Sequence, residues 1–186
     1  MYACEKGVEQ KEGMAVSFTY IKDAYLFSKR TLVYPGLVET VAQAGELAPI
    51  WTVERADGRA YALHRSGSGG GPVVVVMTMQ AEGARRDQAR FGYRGQTMAG
   101  GFDLARLTWA FVGFDGRRYD WVAGMMQHCW KLEDDQGATI AQYIGMAPDY
   151  KIRGSVSVYI EKVTEALIAL IHLSATLLRY APRDAR

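Results

Sequence analysis

The segment GSVSVYI (154–160), followed almost directly by VTEALIALIHLSATLL (163–178), decides the fold of this chain. In the first part Ser155, Val156, Ser157, Val158, Tyr159 and Ile160 alternate with period two, which predicts a strand with the serines and Tyr159 on its polar face. The second part has helical spacing: Leu167, Leu170, Ile171, Ser174, Leu177 and Leu178 form one stripe. Its other side carries Ile168, His172, Ala175 and Thr176, so the helix has no charged face. A helix that is apolar almost all round must be enclosed by protein. It is also too short to span a bilayer: Glu165 and Arg179 bracket 13 uncharged residues, whereas a span needs about 20 apolar residues. A helix over 163–179 is predicted, with Pro182 beyond it as a stop.

Upstream, the chain reads as a series of short strands. Asp57–Gly58, Asp115–Gly116 and Asp134–Asp135–Gln136–Gly137 each separate two β-rich runs and predict three hairpins. Pro72 opens VVVVMTMQ, a continuous apolar run expected to be a central strand, and Arg90–Arg94 is expected to return as strand. Val16, Phe18 and Tyr20 alternate with Ser17, Thr19 and Ile21, and Tyr25–Tyr34 is again strand-like. Pro35–Gly36 breaks that run, and Gly36–Glu46 reads equally as a short helix or a loop. SGSGGG (66–71) reads as a flexible loop and Glu82–Arg90 as an exposed one or a single helical turn. DGRAY (57–61) and DGRRY (115–119), 58 positions apart, reflect either shared turn chemistry or two related halves of a sheet. About ten strands followed by one enclosed helix predict a closed antiparallel barrel wrapped around that helix, because closure removes the sheet edges. The expected organisation is an arm over 1–13, a single domain over 14–180 and a tail over 181–186.

The order DGRRYDW (115–121), CWKLEDDQGATIAQY (129–143) and GSVSVYI (154–160) into the terminal helix resembles the tubby C-terminal-like superfamily. The resemblance is nearest to uncharacterised fungal proteins related to the LURP-one and phospholipid scramblase families. It covers roughly Trp51–Arg179 and is strongest from Phe111 onward, on Tyr119, Trp121, Leu132–Gly137, Ile140 and Val156–Ile160. It implies a twelve-stranded barrel closed around a central helix. Tubby proteins bind phosphoinositide headgroups through exterior Lys and Arg, so the resemblance also implies attachment to an anionic membrane surface. The scramblases' cysteine cluster and proline-rich N-terminal region have no counterpart in this sequence, which argues against lipid scrambling.

Composition narrows the function classes. The 186 residues carry 22 Lys and Arg against 20 Asp and Glu, which argues against a dedicated nucleic-acid binder. The charged N-terminal stretch, with Glu5, Lys6, Glu9, Lys11 and Glu12, does not read as a signal peptide. Two cysteines, Cys4 and Cys129, make no disulfide framework; they allow one bridge but do not require it, so a reducing compartment is the easier reading, and the expected location is cytoplasmic or peripheral at a membrane. Between Arg85 and Arg118, seven arginines (85, 86, 90, 94, 106, 117 and 118) meet three aspartates, a local charge of +4 that exceeds the whole chain's +2. Forked guanidinium donors suit phosphate oxygens, so Arg85, Arg86, Arg90, Arg94, Arg117 and Arg118 are the candidate anionic-headgroup surface. Exposed arginines also serve solubility and edge protection. Trp109 and Phe111 are expected to point inward.

No catalytic, cofactor or metal site is expected. His64, His128 and His172 lack ligand spacing, and His128 and Cys129 would point to opposite faces of a strand. Cys129 is read as core filling and His172 as a buried, hydrogen-bonded residue. Glu133, Asp134 and Asp135 lack the alternating oxygen ligands of a calcium loop. The glycines at 67 and 69–71 precede a strand and bring no lysine–hydroxyl pair. Three readings follow: a non-enzymatic barrel on an anionic membrane, a protein-interaction or structural domain, and an enzyme with a small rim pocket.

Overall fold

The computed structural model describes residues 15–23, 29–55, 60–66, 73–80, 88–103, 106, 108–124, 128–145, 151–159 and 164–178. Twelve strands and two helices follow one another: β1 (Val16–Lys22), β2 (Arg30–Pro35), α1 (Val41–Gly45), β3 (Trp51–Arg55), β4 (Ala60–Arg65), β5 (Val73–Gln80), β6 (Gln88–Tyr93), β7 (Gln96–Asp103), β8 (Thr108–Val112), β9 (Arg118–Ala123), β10 (Cys129–Asp134), β11 (Thr139–Ile144), β12 (Ile152–Val158) and α2 (Glu165–Leu178). Every strand pairs antiparallel with its neighbour in sequence, and β1 pairs with β12, from Val16 opposite Val158 to Ile21 opposite Ile152. The result is a closed barrel, and no strand is left with an open edge.

The enclosed helix fills the barrel. In α2 the seven consecutive residues Ala169–Ala175 are all fully buried, which no surface helix could be. Thr164 caps its start, its Oγ1 accepting from the Leu167 N–H at 3.2 Å. The lumen side of the wall supplies Phe18, Val33, Val53, Leu63, Met77, Phe91, Phe111, Trp121, Leu132 and Val156 to the same core. Two polar pairs fix the helix against the wall. The Trp121 indole N–H donates to Ser174 Oγ at 2.9 Å, and that hydroxyl donates to the Ile171 carbonyl at 3.1 Å. Tyr20 Oη lies 2.6 Å from His172 Nδ1.

β1 buries both faces. Phe18 and Tyr20 face the lumen, while Thr19 and Ile21 are covered outside by the segment between β2 and β3. That segment resolves the ambiguity of 36–46 as a five-residue helix, opened by a capping box of Thr40 and Gln43. Ile21, Tyr34, Val38, Ala44 and Ile152 make a small second core there. Thr19 Oγ1 bridges the Val38 N–H and the Gly36 carbonyl, both at 2.9 Å.

The hairpins at Asp115–Gly116 and at 134–137 form as expected, with Gly116 and Gly137 at φ of +78° and +80°. Strands β3 and β4 pair as the first hairpin requires, though residues 56–59 lie outside the described residues. The twelve strands match the count that the resemblance implied, where the residue-by-residue reading gave about ten, and one strand was not anticipated at all: β7, QTMAGGFD. Its glycines depress strand propensity, yet Gly100 is required there. A Cβ on it would sit 2.9 Å from the Trp109 ring and 3.1 Å from the Ala110 carbonyl oxygen. The β6–β7 turn was also missed, because Arg94 adopts φ +46° ahead of Gly95 at +80°, and a bulky residue seldom does so. Helix α2 starts at Glu165, two residues later than expected, and position 179 lies outside the described residues. The arm, the tail and the 67–71 glycines lie outside the described residues, as do positions 81–87.

Cys129 is buried as expected, with the Gln142 amide 3.4 Å from its sulfur. It is also disulfide-bonded. The sequence allowed one bridge without requiring it, and the bond at Cys129 removes the ground for expecting a reducing compartment; Cys4 lies outside the described residues.

Removing the Ser174 hydroxyl tests how the helix is held. Ser174→Ala leaves the buried Trp121 N–H without its acceptor and should cost about 1–3 kcal/mol, read as a lower urea midpoint at unchanged slope.

Candidate anion-binding surface

Antiparallel connectivity sorts charged residues by barrel end. Odd-numbered strands finish, and even-numbered strands start, at the same end. Among the described residues in the two end positions of a strand or in a connection there, that end carries Lys22, Lys29, Arg30, Arg55, Arg106, Lys151 and Arg153 against Asp23, Glu54 and Asp103. The opposite end carries Arg65, Arg94, Arg117 and Arg118 against Glu39, Glu46, Asp115, Glu133, Asp134, Asp135 and Glu165. One end is therefore basic and the other acidic.

The backbone holds several of these cations in place. The Lys22 N–H donates to the Lys151 carbonyl at 2.7 Å, joining the end of β1 to the approach to β12. The Arg55 N–H donates to the Lys29 carbonyl at 3.0 Å. Arg30 is opposite Glu54 across β2 and β3, with Nε 3.7 Å from the carboxylate. Arg55 lies over the Tyr61 ring at 5.9 Å. The C-terminus of α2 also reaches this end, and a ring of cations complements the partial negative charge of its last carbonyls.

Four of the six candidate arginines are described, and they do not all lie at one barrel end. Arg85 and Arg86 lie outside the described residues. Arg90 is exposed on β6. Arg94 belongs to the opposite end and stacks over Tyr93 at 5.0 Å. Arg117 and Arg118 also lie at the opposite end and are engaged with carboxylates. Arg117 spans Asp135 at 2.7 Å and Asp134 at 2.9 Å. Arg118 makes a forked contact with Asp120, at 2.9 and 2.8 Å. The hydrogen bond from Arg118 holds the Asp120 carboxyl below its ordinary range, and the one to Asp135 raises Arg117. These pairs explain the acidic run at 133–135 as the partner of a neighbouring hairpin. The cations of the basic end were missed because they come from five separate stretches of sequence. Sorting charges by alternate strand ends would have found them.

A cleft of about 50 Å³ opens at the basic end, lined by Tyr20, Lys29, Thr31, Val53, Tyr61, Tyr143, Arg153, Ala175 and Thr176. Its walls come from β1–β4, β11, β12 and the last turns of α2. Tyr143 Oη donates to the Arg153 carbonyl at 3.1 Å, and Thr176 Oγ1 to the Leu173 carbonyl at 2.6 Å. Behind it, His172 is fully buried among Phe18, Tyr20 and Trp51. It corrects the expectation of full hydrogen bonding, for its Nε2 has no partner. Burial pushes its pKa down to about 3 and raises that of Tyr20 well above the ordinary phenol value. Among the described residues no three His, Cys, Asp or Glu side chains converge as a metal site, and no helix is long and apolar enough to cross a membrane.

A crystal structure of the Arabidopsis thaliana protein AT5G01750 is similar over 91% of this chain and 93% of that one, at a TM-score of 0.51 and 13% sequence identity. The two chains share a fold. No family model and no curated protein matches this sequence.

Burial of a neutral His172 makes stability depend on pH. Its pKa is lowered on folding, so the unfolded chain binds the extra proton, and stability must fall as pH drops from about 6.5 toward 3. The loss from this one group between pH 7 and pH 5 should be about 2 kcal/mol. Urea unfolding at the two pH values should give that difference in wild type and a smaller one in His172→Gln.

Proposed function

We propose that this protein is a non-enzymatic barrel of the tubby-like class that docks on an anionic membrane surface, phosphoinositide-bearing or otherwise, through its basic end. The observation that carries this reading is the segregation of charge among the described residues: seven cations against three carboxylates at one barrel end, and four against seven at the other. Cations near an anionic leaflet contribute about 1 kcal/mol each. A net surplus of four at the basic end therefore gives about 4 kcal/mol, equivalent to a dissociation constant of about 1 mM. Docking of this kind is weak, and salt screens it over about 8 Å at physiological ionic strength. Arg117 and Arg118 are excluded from this surface by their carboxylate partners.

A protein-binding role is the second reading. It rests on Leu37, 66% exposed, with Val41 and Leu47 also exposed along the segment between β2 and β3. Exposed apolar side chains grouped in this way mark contact surfaces more often than scattered ones do.

Co-sedimentation with vesicles separates the two. Pelleting is expected with phosphatidylserine or phosphatidylinositol bisphosphate and not with neutral lipid, and it should weaken as salt rises. A variant carrying Lys22→Ala, Arg30→Ala, Arg55→Ala and Lys151→Ala should lose it, while one carrying Arg65→Ala and Arg94→Ala should keep it. Equal pelleting of the two variants, or none with any vesicle, sinks the membrane reading.

A further inference from the structure

The cleft at the basic end combines features that the docking of a whole surface does not use. Lys29 and Arg153 stand on its walls, Thr31 adds a hydroxyl, and Tyr20 lies deep in it with only 3% of its surface exposed. Tyr20 is paired with a histidine that has no other polar partner: His172 Nδ1 is 2.6 Å from Tyr20 Oη and its Nε2 is buried alone.

Two proton arrangements satisfy that contact. With the imidazole proton on Nε2, Tyr20 donates to Nδ1, and an N–H is buried without an acceptor. With the proton on Nδ1, the histidine donates to Tyr20 Oη, and what is left over is a nitrogen lone pair and the O–H of Tyr20, a residue that lines the cleft. Orphaned buried donors are rare, and bare acceptors are less so. The second arrangement therefore wins once an acceptor in the cleft takes the Tyr20 O–H, and a bound oxyanion supplies one. Tyr20 is then a hydrogen-bond donor in a cleft whose described charged residues are both cations.

We propose that this cleft binds a small oxyanion, of phosphate or carboxylate size, with Lys29 and Arg153 supplying charge and Tyr20 a donor that His172 positions. The proposal deepens the basic-end reading, since the same rim would draw anions toward the cleft. The ligand source is either a free solute or a phosphomonoester headgroup standing out of a bilayer. A volume of about 50 Å³ suits such a group.

Titration calorimetry of the full chain with inorganic phosphate, and separately with acetate, tests the site. Saturable binding of at least one probe is expected, near the millimolar range of about 1 mM that such small contacts reach. Lys29→Ala and Arg153→Ala should abolish it, and Tyr20→Phe should weaken it about tenfold, the effect of one hydrogen bond to a charged group. Lys29 is exposed, so its variant remains informative if Tyr20→Phe is less stable. Absence of saturable binding for both probes overturns the proposal, as does binding that survives Lys29→Ala and Arg153→Ala together. Imidazole nitrogen shifts give an independent readout of His172. With the probe bound, a proton on Nδ1 is expected, and a proton on Nε2 overturns the donor role of Tyr20.

Vesicles identify the source. Preference for phosphatidic acid over phosphatidylserine at equal charge, lost in Lys29→Ala, identifies a headgroup; phosphate binding without that preference identifies a solute. Both results support the site. Pelleting with phosphatidylserine that persists in the cleft variants keeps the docking reading alive when the cleft fails.

Discussion

The constraint on which this molecule depends is that α2 has no face fit for water. Its fourteen residues offer only Glu165 as a charge, and the seven in its middle are wholly enclosed. Such a helix is stable only where protein surrounds it, and a closed barrel is the sheet architecture that surrounds a rod on every side. The lumen residues are chosen accordingly. Aromatic rings from β6, β8 and β9 pack on one another, with Phe111 and Tyr119 stacked at 5.4 Å and Phe91 edge-on to Trp109 at 5.9 Å. The few polar atoms the helix takes inside are spent on Trp121 and Tyr20, which set its rotation relative to the wall.

Much of this was legible because it is local. A period of two in 154–160, a helix apolar on all sides and Asp–Gly turns are read within a dozen residues, and together they leave little but a barrel. What failed was local in a different sense. β7 contains glycines that a propensity reading treats as breakers, whereas Gly100 makes room for Trp109 across the sheet. Arg94 occupies a turn position that its side chain gives no hint of. Inside the helix, His172 looked like a fully satisfied buried histidine, yet only one of its two nitrogens has a partner.

The candidate surface was harder to read because charge clusters in sequence and charge clusters in space differ in an antiparallel barrel. A window such as 85–118 runs from one barrel end to the other and back, so its arginines are distributed by strand parity. Two of them, Arg117 and Arg118, meet carboxylates from β9 and the β10–β11 hairpin, both of which the sequence displays without displaying the pairing. The basic end draws on residues from 22 to 153, brought together by topology alone. Positive charge at one end and negative charge at the other are thus properties of the connectivity.

The pairing of β1 with β12 also sets a timetable for the chain. Ser17 and Ser157, 140 residues apart, share a hydrogen bond at 2.9 Å, and the helix that fills the lumen comes later still. A chain emerging from the ribosome N-terminus first would expose a curved, apolar-lined sheet with two open edges until β12 and α2 had been made. Contacts this distant in sequence slow folding, and open edges invite association with other chains. Synthesis of this protein therefore has a long vulnerable interval, which ends only when the final strand and helix arrive together.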